Sequence, residues 1–212
     1  MPGCHGRLVR PCCLPSRTRA DEPPVAPQAG PETTPRLRSP SRAPVVNLPM
    51  PYTPILATLG YVFSADGRRV LMIHRNTRPA DPHFGKYNAL GGKLDAGEDV
   101  VAGLRREVWE EAGIECEELR LAGTVSWPGF GKHGEDWFGF IFRVDRFTGT
   151  PLPANPEGAL EWVEVGRVMS LPLWEGDRFF LPLVFAGGPQ FHGVMPYRDG
   201  RPVSWSYSTV SG

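Results

Sequence analysis

An α/β layered domain is the fold class predicted for residues 51–212, and three observations carry that expectation. Short β-branched and aromatic stretches recur there, bounded by Gly, Pro, Asp and Ser. Two segments, within 92–114 and at 174–185, instead space their apolar residues by three and four, as amphipathic helices do. No internal repeat interrupts the alternation. Strands interleaved with two helices bury their apolar faces by packing helices on a sheet.

The elements follow in order. Ile55–Phe63 is β-rich and ends at the turn residues Ser64-Ala65-Asp66-Gly67; Arg69–Arg75 is the second strand. Residues 76–86 form a loop with Pro and Gly, and Tyr87–Leu90 a short strand that feeds the Gly91-Gly92 turn. The first helix follows, then strands at Leu119–Val125 and Trp137–Arg146 around a Gly-rich aromatic loop at 127–135. Residues 147–158 are predicted as a loop, Ala159–Val165 as a strand, and Val168–Leu171 as a helical turn. Trp174–Phe185 is the second helix. Phe191–Tyr197 and Pro202–Tyr207 are predicted to pair as a hairpin around Asp199-Gly200.

The first helix is the chemically informative element. Val101, Leu104, Val108 and Ala112 make its apolar stripe, and Glu107, Glu110 and Glu111 place three carboxylates at i, i+3 and i+4 beside it. Asp95 and Glu98 suit its N-terminal end, and Gly113 is a natural stop. Like charges that close cost about 0.2–0.5 kcal/mol per pair on an exposed helix. A solvated acidic face is the plain alternative, but it leaves Gly91-Gly92, Glu98, Arg106 and Gly113 unexplained. A divalent cation against the carboxylates relieves the repulsion. Hard oxygen ligands suit Mg²⁺ or Mn²⁺, which in turn suit phosphate substrates.

The chain has 212 residues and no net charge, but the charge is unevenly spread. Residues 1–50 hold seven Arg, three acids and eleven Pro, whereas 51–212 hold 16 basic and 20 acidic side chains. The second part therefore lacks the basic footprint of a nucleic-acid-binding surface. Residues 1–50 show no apolar periodicity and are predicted as a disordered leader: a basic tether, a transit-like peptide, or an extension upstream of a start at Met50. Cys4, Cys12, Cys13 and Cys116 form neither a disulfide framework nor a zinc spacing, which predicts reduced thiols and a cytoplasmic protein. No apolar run approaches the roughly 20 residues of a membrane span.

Residues 92–114 resemble the Nudix box, G-x5-E-x7-R-E-U-x-E-E-x-G-U with U a bulky aliphatic. Gly92, Glu98, Arg106, Glu107, Val108, Glu110, Glu111, Gly113 and Ile114 fill every specified position. The resemblance implies an α/β/α sandwich with a mixed sheet and hydrolysis of nucleoside diphosphates linked to another moiety. It implies Mg²⁺, with Mn²⁺ as an alternative, held by Glu107, Glu110, Glu111, the Gly91 carbonyl and Glu157. Glu157 is assigned because it precedes Trp162 by five residues; by itself it reads equally as a solvated surface carboxylate. Arg106 orients the carboxylates, with Glu98 a candidate partner. One of the glutamates acts as the general base.

The flanks resemble the MutT-type hydrolases of oxidised purine nucleoside triphosphates. Tyr87-Asn88-Ala89-Leu90-Gly91-Gly92-Lys93 is similar to their segment before the box. Leu173-Trp174-Glu175-Gly176-Asp177 and Phe191-His192-Gly193 are similar to mammalian members. The base pocket implied is Asn88, Trp174 and Asp177, with Thr58 and Arg75 at its edge. Leu90, Gly91, Gly92 and Lys93 complete the substrate-binding positions, Lys93 toward phosphate. Asn offers a donor and an acceptor together; Trp offers a stacking face. Three departures stand out: Gly176-Asp177 replaces two Asp, Arg75 a Lys, and Tyr87 a Trp. The expected reaction takes 8-oxo-dGTP to 8-oxo-dGMP and pyrophosphate. The alternatives are ordinary dNTPs, ADP-ribose, an RNA 5′ end, or a non-catalytic nucleotide sensor on the same fold.

Overall fold

The computed structural model describes residues 51–210. The predicted leader, residues 1–50 with Cys4, Cys12 and Cys13, lies outside the described residues. The elements in chain order are β1 Ile55–Phe63, β2 Arg69–His74, β3 Tyr87–Asn88, α1 Val100–Ala112, β4 Glu115–Trp127, β5 Trp137–Thr148, β6 Ala154–Asn155, β7 Gly158–Glu164, α2 Val165–Val168, α3 Asp177–Ala186, β8 Gln190–Val194, β9 Tyr197–Arg198, β10 Arg201–Pro202 and β11 Ser206–Val210.

These strands form a nine-stranded mixed sheet of order β11-β8-β4-β5-β1-β2-β7-β6, with β3 paired to β2. The β1–β5 and β4–β8 pairs are parallel, and the other ladders of this sheet are antiparallel. Alternation along β1 and β2 sends Tyr61, Phe63, Val70 and Met72 to one face, where Phe180, Leu181 and Val184 of α3 cover them. Val62, Leu71 and Ile73 point the other way, against Leu104, Val108 and Ala112 of α1. Both faces of the central strands are thus apolar. Helix, sheet and helix form three layers, as the resemblance implies.

Asp95 and Glu98 lie just ahead of α1, and Asp99 is its N-cap; the Asp99 Oδ1 accepts from the Val101 and Ala102 N–H groups at 2.8 and 3.0 Å. Gly113 ends α1 in the left-handed conformation, with its N–H on the Trp109 carbonyl. β4 starts at Glu115, four residues before the predicted strand, because pairing with β5 and the Arg146–Glu117 and Arg146–Glu118 contacts recruit a charged stretch of weak β propensity.

Two further differences position the site. The 147–158 stretch is not wholly loop: β6 and β7 pair at Asn155 and Gly158, leaving Pro156 and Glu157 as a two-residue hairpin tip. The C-terminal pairing is split. β9 and β10 close tightly around Asp199 and Gly200, both at positive φ, while β8 and β11 pair separately at the sheet edge. α2 begins at Val165 and α3 at Asp177, so the predicted helical turn shifts earlier and the predicted second helix loses Trp174 to Gly176 to a turn, in which the Asp177 N–H bonds the Trp174 carbonyl at 3.1 Å.

Candidate active site

The glycine-rich segment replaces β2 as the neighbour of the lower half of β1. β1 pairs with β2 only at Val62 and Phe63; below them Gly60 pairs with Leu90 and Ala57 with Lys93. The Thr58 N–H bonds the Gly92 carbonyl at 2.8 Å. Gly91 sits at φ 129°, and a Cβ there would collide with the Thr58 carbonyl. Its N–H donates to Glu111 Oε2 at 2.7 Å. A Cβ on Gly92 would fall 2.6–2.7 Å from the Glu107 carboxylate. Gly91 therefore lets the segment close on β1, and Gly92 leaves the space that the Glu107 carboxylate occupies.

Arg106 organises the helix face. Its guanidinium donates to Glu98 at 2.8 and 3.1 Å, to Glu107 at 2.9 Å, to Glu110 at 3.4 Å and to the Lys93 carbonyl at 3.2 Å. Its hydrogen bonds hold Glu98 below the usual carboxylate range. Burial pushes Glu107 up, with Arg106 opposing. Glu111 is pushed up to about 8, first by burial, then by the neighbouring charges of Glu157 and Glu107; the Gly91 N–H opposes the shift.

Glu157 arrives from the hairpin tip. Asn155 Oδ1 accepts from the Glu157 and Gly158 N–H groups at 2.8 and 3.1 Å, and Asn155 Nδ2 donates to the Glu111 carbonyl at 3.2 Å. Asn155 thus ties the tip to the end of α1. A Cβ on Gly158 would meet the His74 carbonyl, so only glycine lets β7 lie this close to β2. Arg75 bridges Glu157 and Asp81, its Nε lying 3.0 Å from Asp81 Oδ2.

These carboxylates border a cavity of about 420 Å³ that continues between α3 and the lower sheet. At its far end stand Asn88, His83, Trp174 and Asp177, with Thr58, Trp137 and Phe130 along the walls. Thr58 Oγ1, Asn88 Oδ1 and Trp137 Nε1 are shut from solvent and, among the described residues, have no hydrogen-bond partner. All three residues line this cavity. Buried polar atoms left unpaired cost about 1–3 kcal/mol each, and clustering in one cavity marks a place for a polar ligand. Lys86 lies 4.7 Å from the Trp174 ring centre and Lys93 5.3 Å from that of Trp137.

Burial pushes the Asp177 carboxyl up to about 7, with Lys86 opposing. Its ionised form therefore costs stability, and that cost is absent below the unfolded-state value near 3.8 and complete above about 7. Between those limits the folded protein binds more protons at this site than the unfolded chain does, so stability falls as pH rises. Asp177→Asn is expected to flatten the urea midpoint against pH over that window. A profile superimposing on wild type would refute the burial argument. The departure at Gly176 has a structural cause: a Cβ there would meet the Tyr197 hydroxyl and lie 2.6 Å from Met195 Sδ.

The structure brings Thr58, Arg75, Asn88, Gly91, Gly92, Lys93, Glu107, Glu111, Glu157, Trp174 and Asp177 to this one cavity. Leu90, Arg106 and Glu110 stand apart. The Leu90 side chain is fully buried in the core layer against α1, and the Glu110 side chain, 57% exposed, pairs with Arg106. Arg75 lines the wall with its guanidinium committed to Asp81 and Glu157. His83, Asn155, Trp137 and Tyr197 were not predicted. They come from loops and strands far apart in sequence, and no spacing marks them.

The donor chemistry fits a hard divalent cation. Glu107, Glu111 and Glu157 are close enough for the first and last to raise Glu111, and Gly92 leaves the Glu107 carboxylate room beside the loop. Among the described residues no three such groups converge at metal-ligand spacing. The guanidiniums of Arg106 and Arg75 take oxygens of Glu107 and Glu157 instead.

The model of the NUDIX domain matches residues 53–184. The oxidized purine nucleoside triphosphate hydrolase of Mus musculus is 31% identical over 115 residues, 54% of this chain and 72% of that protein. The uncharacterized Nudix hydrolase YvcI of Bacillus subtilis is 32% identical over 120 residues, 55% and 75% of the two chains. The crystal structure of a MutT protein from Bacillus halodurans superposes with a TM-score of 0.63 at 29% identity, covering 72% of this chain and 97% of that one.

Proposed function

This chain belongs to the NUDIX family, and from that premise we propose that it hydrolyses oxidised purine nucleoside triphosphates to the monophosphate and pyrophosphate. Members are pyrophosphohydrolases that act on small nucleotide substrates and generally use divalent metal ions. The observation that carries the finer reading is Asn88, whose Oδ1 is unpaired among the described residues, lining a cavity that Trp174 and Asp177 also line. A purine stacked on Trp174 gains about 1–3 kcal/mol. An Asp177 carboxyl near pKa 7 accepts when ionised and donates when protonated, which suits a base edge rich in N–H and C=O groups.

At the other end, Glu107, Glu111, Glu157 and the Gly91 carbonyl are the proposed metal ligands, and Glu110, outside the cavity, joins them only by leaving its Arg106 ion pair. A bound divalent ion would neutralise phosphate charge and lower the pKa of a coordinated water. Arg106 fixes Glu98 and Glu107 in place, and Lys93 offers its ammonium to the phosphates. Glu111 is the proposed general base: Gly91 holds its Oε2, leaving Oε1 to take the proton of the attacking water. The leader is proposed as a segment separate from this domain.

Pyrophosphate release from 8-oxo-dGTP, dGTP and ADP-ribose tests the proposal. The expected order places 8-oxo-dGTP first, with kcat/KM at least about tenfold above dGTP, the equivalent of one well-placed hydrogen bond. Equal rates for the first two would remove the sanitising role. Preference for ADP-ribose would move the enzyme to another substrate class.

A further inference from the structure

Two donors converge on one acceptor at the far end of the cavity. Trp174 Nε1 lies 2.9 Å from His83 Nδ1, and Asn88 Nδ2 lies 3.2 Å from the same atom. An indole nitrogen only donates, so His83 Nδ1 carries no proton and the ring is the Nε2–H tautomer. The Asn88 group facing Nδ1 must in turn be the amide NH₂. That leaves Oδ1 as the group Asn88 offers to an occupant, which is the atom found buried and, among the described residues, unpartnered.

Resting on the function proposed above, we infer that His83 is a positioning residue that sets the polarity of base recognition. By accepting from Trp174 and Asn88 together, it makes Asn88 an acceptor toward the substrate. The site then selects a purine that presents an N–H on the facing edge. An 8-oxopurine carries a hydrogen on N7, where an unmodified purine has only a lone pair. Facing Asn88 Oδ1, the first makes a hydrogen bond and the second sets two lone pairs against each other.

The surroundings keep His83 in the accepting form. Burial lowers its pKa first, then the charges of Arg75 and Lys86; Asp81 opposes them. The His83 N–H bonds Asp81 Oδ1 at 2.9 Å, and the imidazole meets the Trp174 ring edge-on at 5.2 Å. Backbone and ring are thus both fixed, so Nδ1 is a stationary acceptor rather than a passing contact.

Two variants separate this role from packing. His83→Phe keeps a ring but removes the acceptor; His83→Asn keeps an oxygen near the Nδ1 position. For His83→Phe the ratio of kcat/KM for 8-oxo-dGTP over dGTP is expected to fall about tenfold, chiefly through KM, as loss of one directed hydrogen bond predicts. His83→Asn is expected to hold the ratio within about threefold of wild type. Equal losses on both nucleotides, leaving the ratio unchanged in His83→Phe, would mean a structural role and overturn the inference. Long-range ¹H–¹⁵N spectra of the wild-type imidazole, recorded without nucleotide, should show Nδ1 bare and Nε2 protonated; the reverse overturns it directly. A wild-type enzyme with no preference between the two nucleotides sinks the oxidised-purine reading and the selection with it. A preference that His83→Phe leaves intact sinks only this inference.

Discussion

Glu111→Gln is expected to lower kcat about a thousandfold while leaving the domain folded, the loss typical of removing a general base. Gln keeps an oxygen for the Gly91 N–H, which now sits 2.7 Å from Glu111 Oε2, so the glycine segment stays anchored. It also removes a carboxylate that burial has pushed up to about 8, whose charged form is a burden on the native state. Thermal unfolding of the metal-free variant should therefore occur at the wild-type temperature or above it. Steady-state pyrophosphate release measures the first claim and calorimetry the second. Near-wild-type turnover would eliminate Glu111 as the base.

Gly91→Ala should be the more damaging change, because it acts on the backbone. Holding a non-glycine residue at φ 129° costs about 1–3 kcal/mol. The new Cβ would also strike the Thr58 carbonyl and come within 2.9 Å of its carbon, and neither is the flexible end of a side chain. The segment must then move off β1, taking the Glu111 anchor with it. Urea denaturation should show a loss of at least that size, and turnover should fall with it. A variant that kept wild-type stability and activity would show that the close approach is dispensable.

Much of the catalytic half was legible along the chain, because a helix turns sequence spacing directly into spatial neighbourhood. Arg106 and Glu110 meet at a separation of four, as helical spacing predicts, whereas Glu98, ahead of the helix, and Glu107, one residue on, reach the same guanidinium from beside it. Gly113 stops the helix for a reason visible in its identity. Asp95 and Glu98 precede the helix as their acidity suggests, but Asp99 is the residue that caps it. The predicted loop at 147–158 hid a hairpin because its first strand, β6, is two residues long and its turn is held by Asn155, not by an apolar pattern.

The base end was legible in part. Asn88, Trp174 and Asp177 were marked by the flanking resemblance, and the fold gathers them in one cavity. His83 gave no signal. It sits in a Pro- and Gly-bearing loop, and its importance lies in a nitrogen that two residues, 5 and 91 positions away, approach together.

From the sequence alone came the layered α/β class, the acidic helix and the glycine entry, since each rests on local periodicity or on a residue type that only one conformation favours. Tertiary structure decided which carboxylates share a cavity, leaving Glu110 outside and bringing Glu157 in on a hairpin tip. It also decided which way the Asn88 amide turns. An amide offers a donor at one end and an acceptor at the other, and only its neighbours in space determine which end faces the substrate.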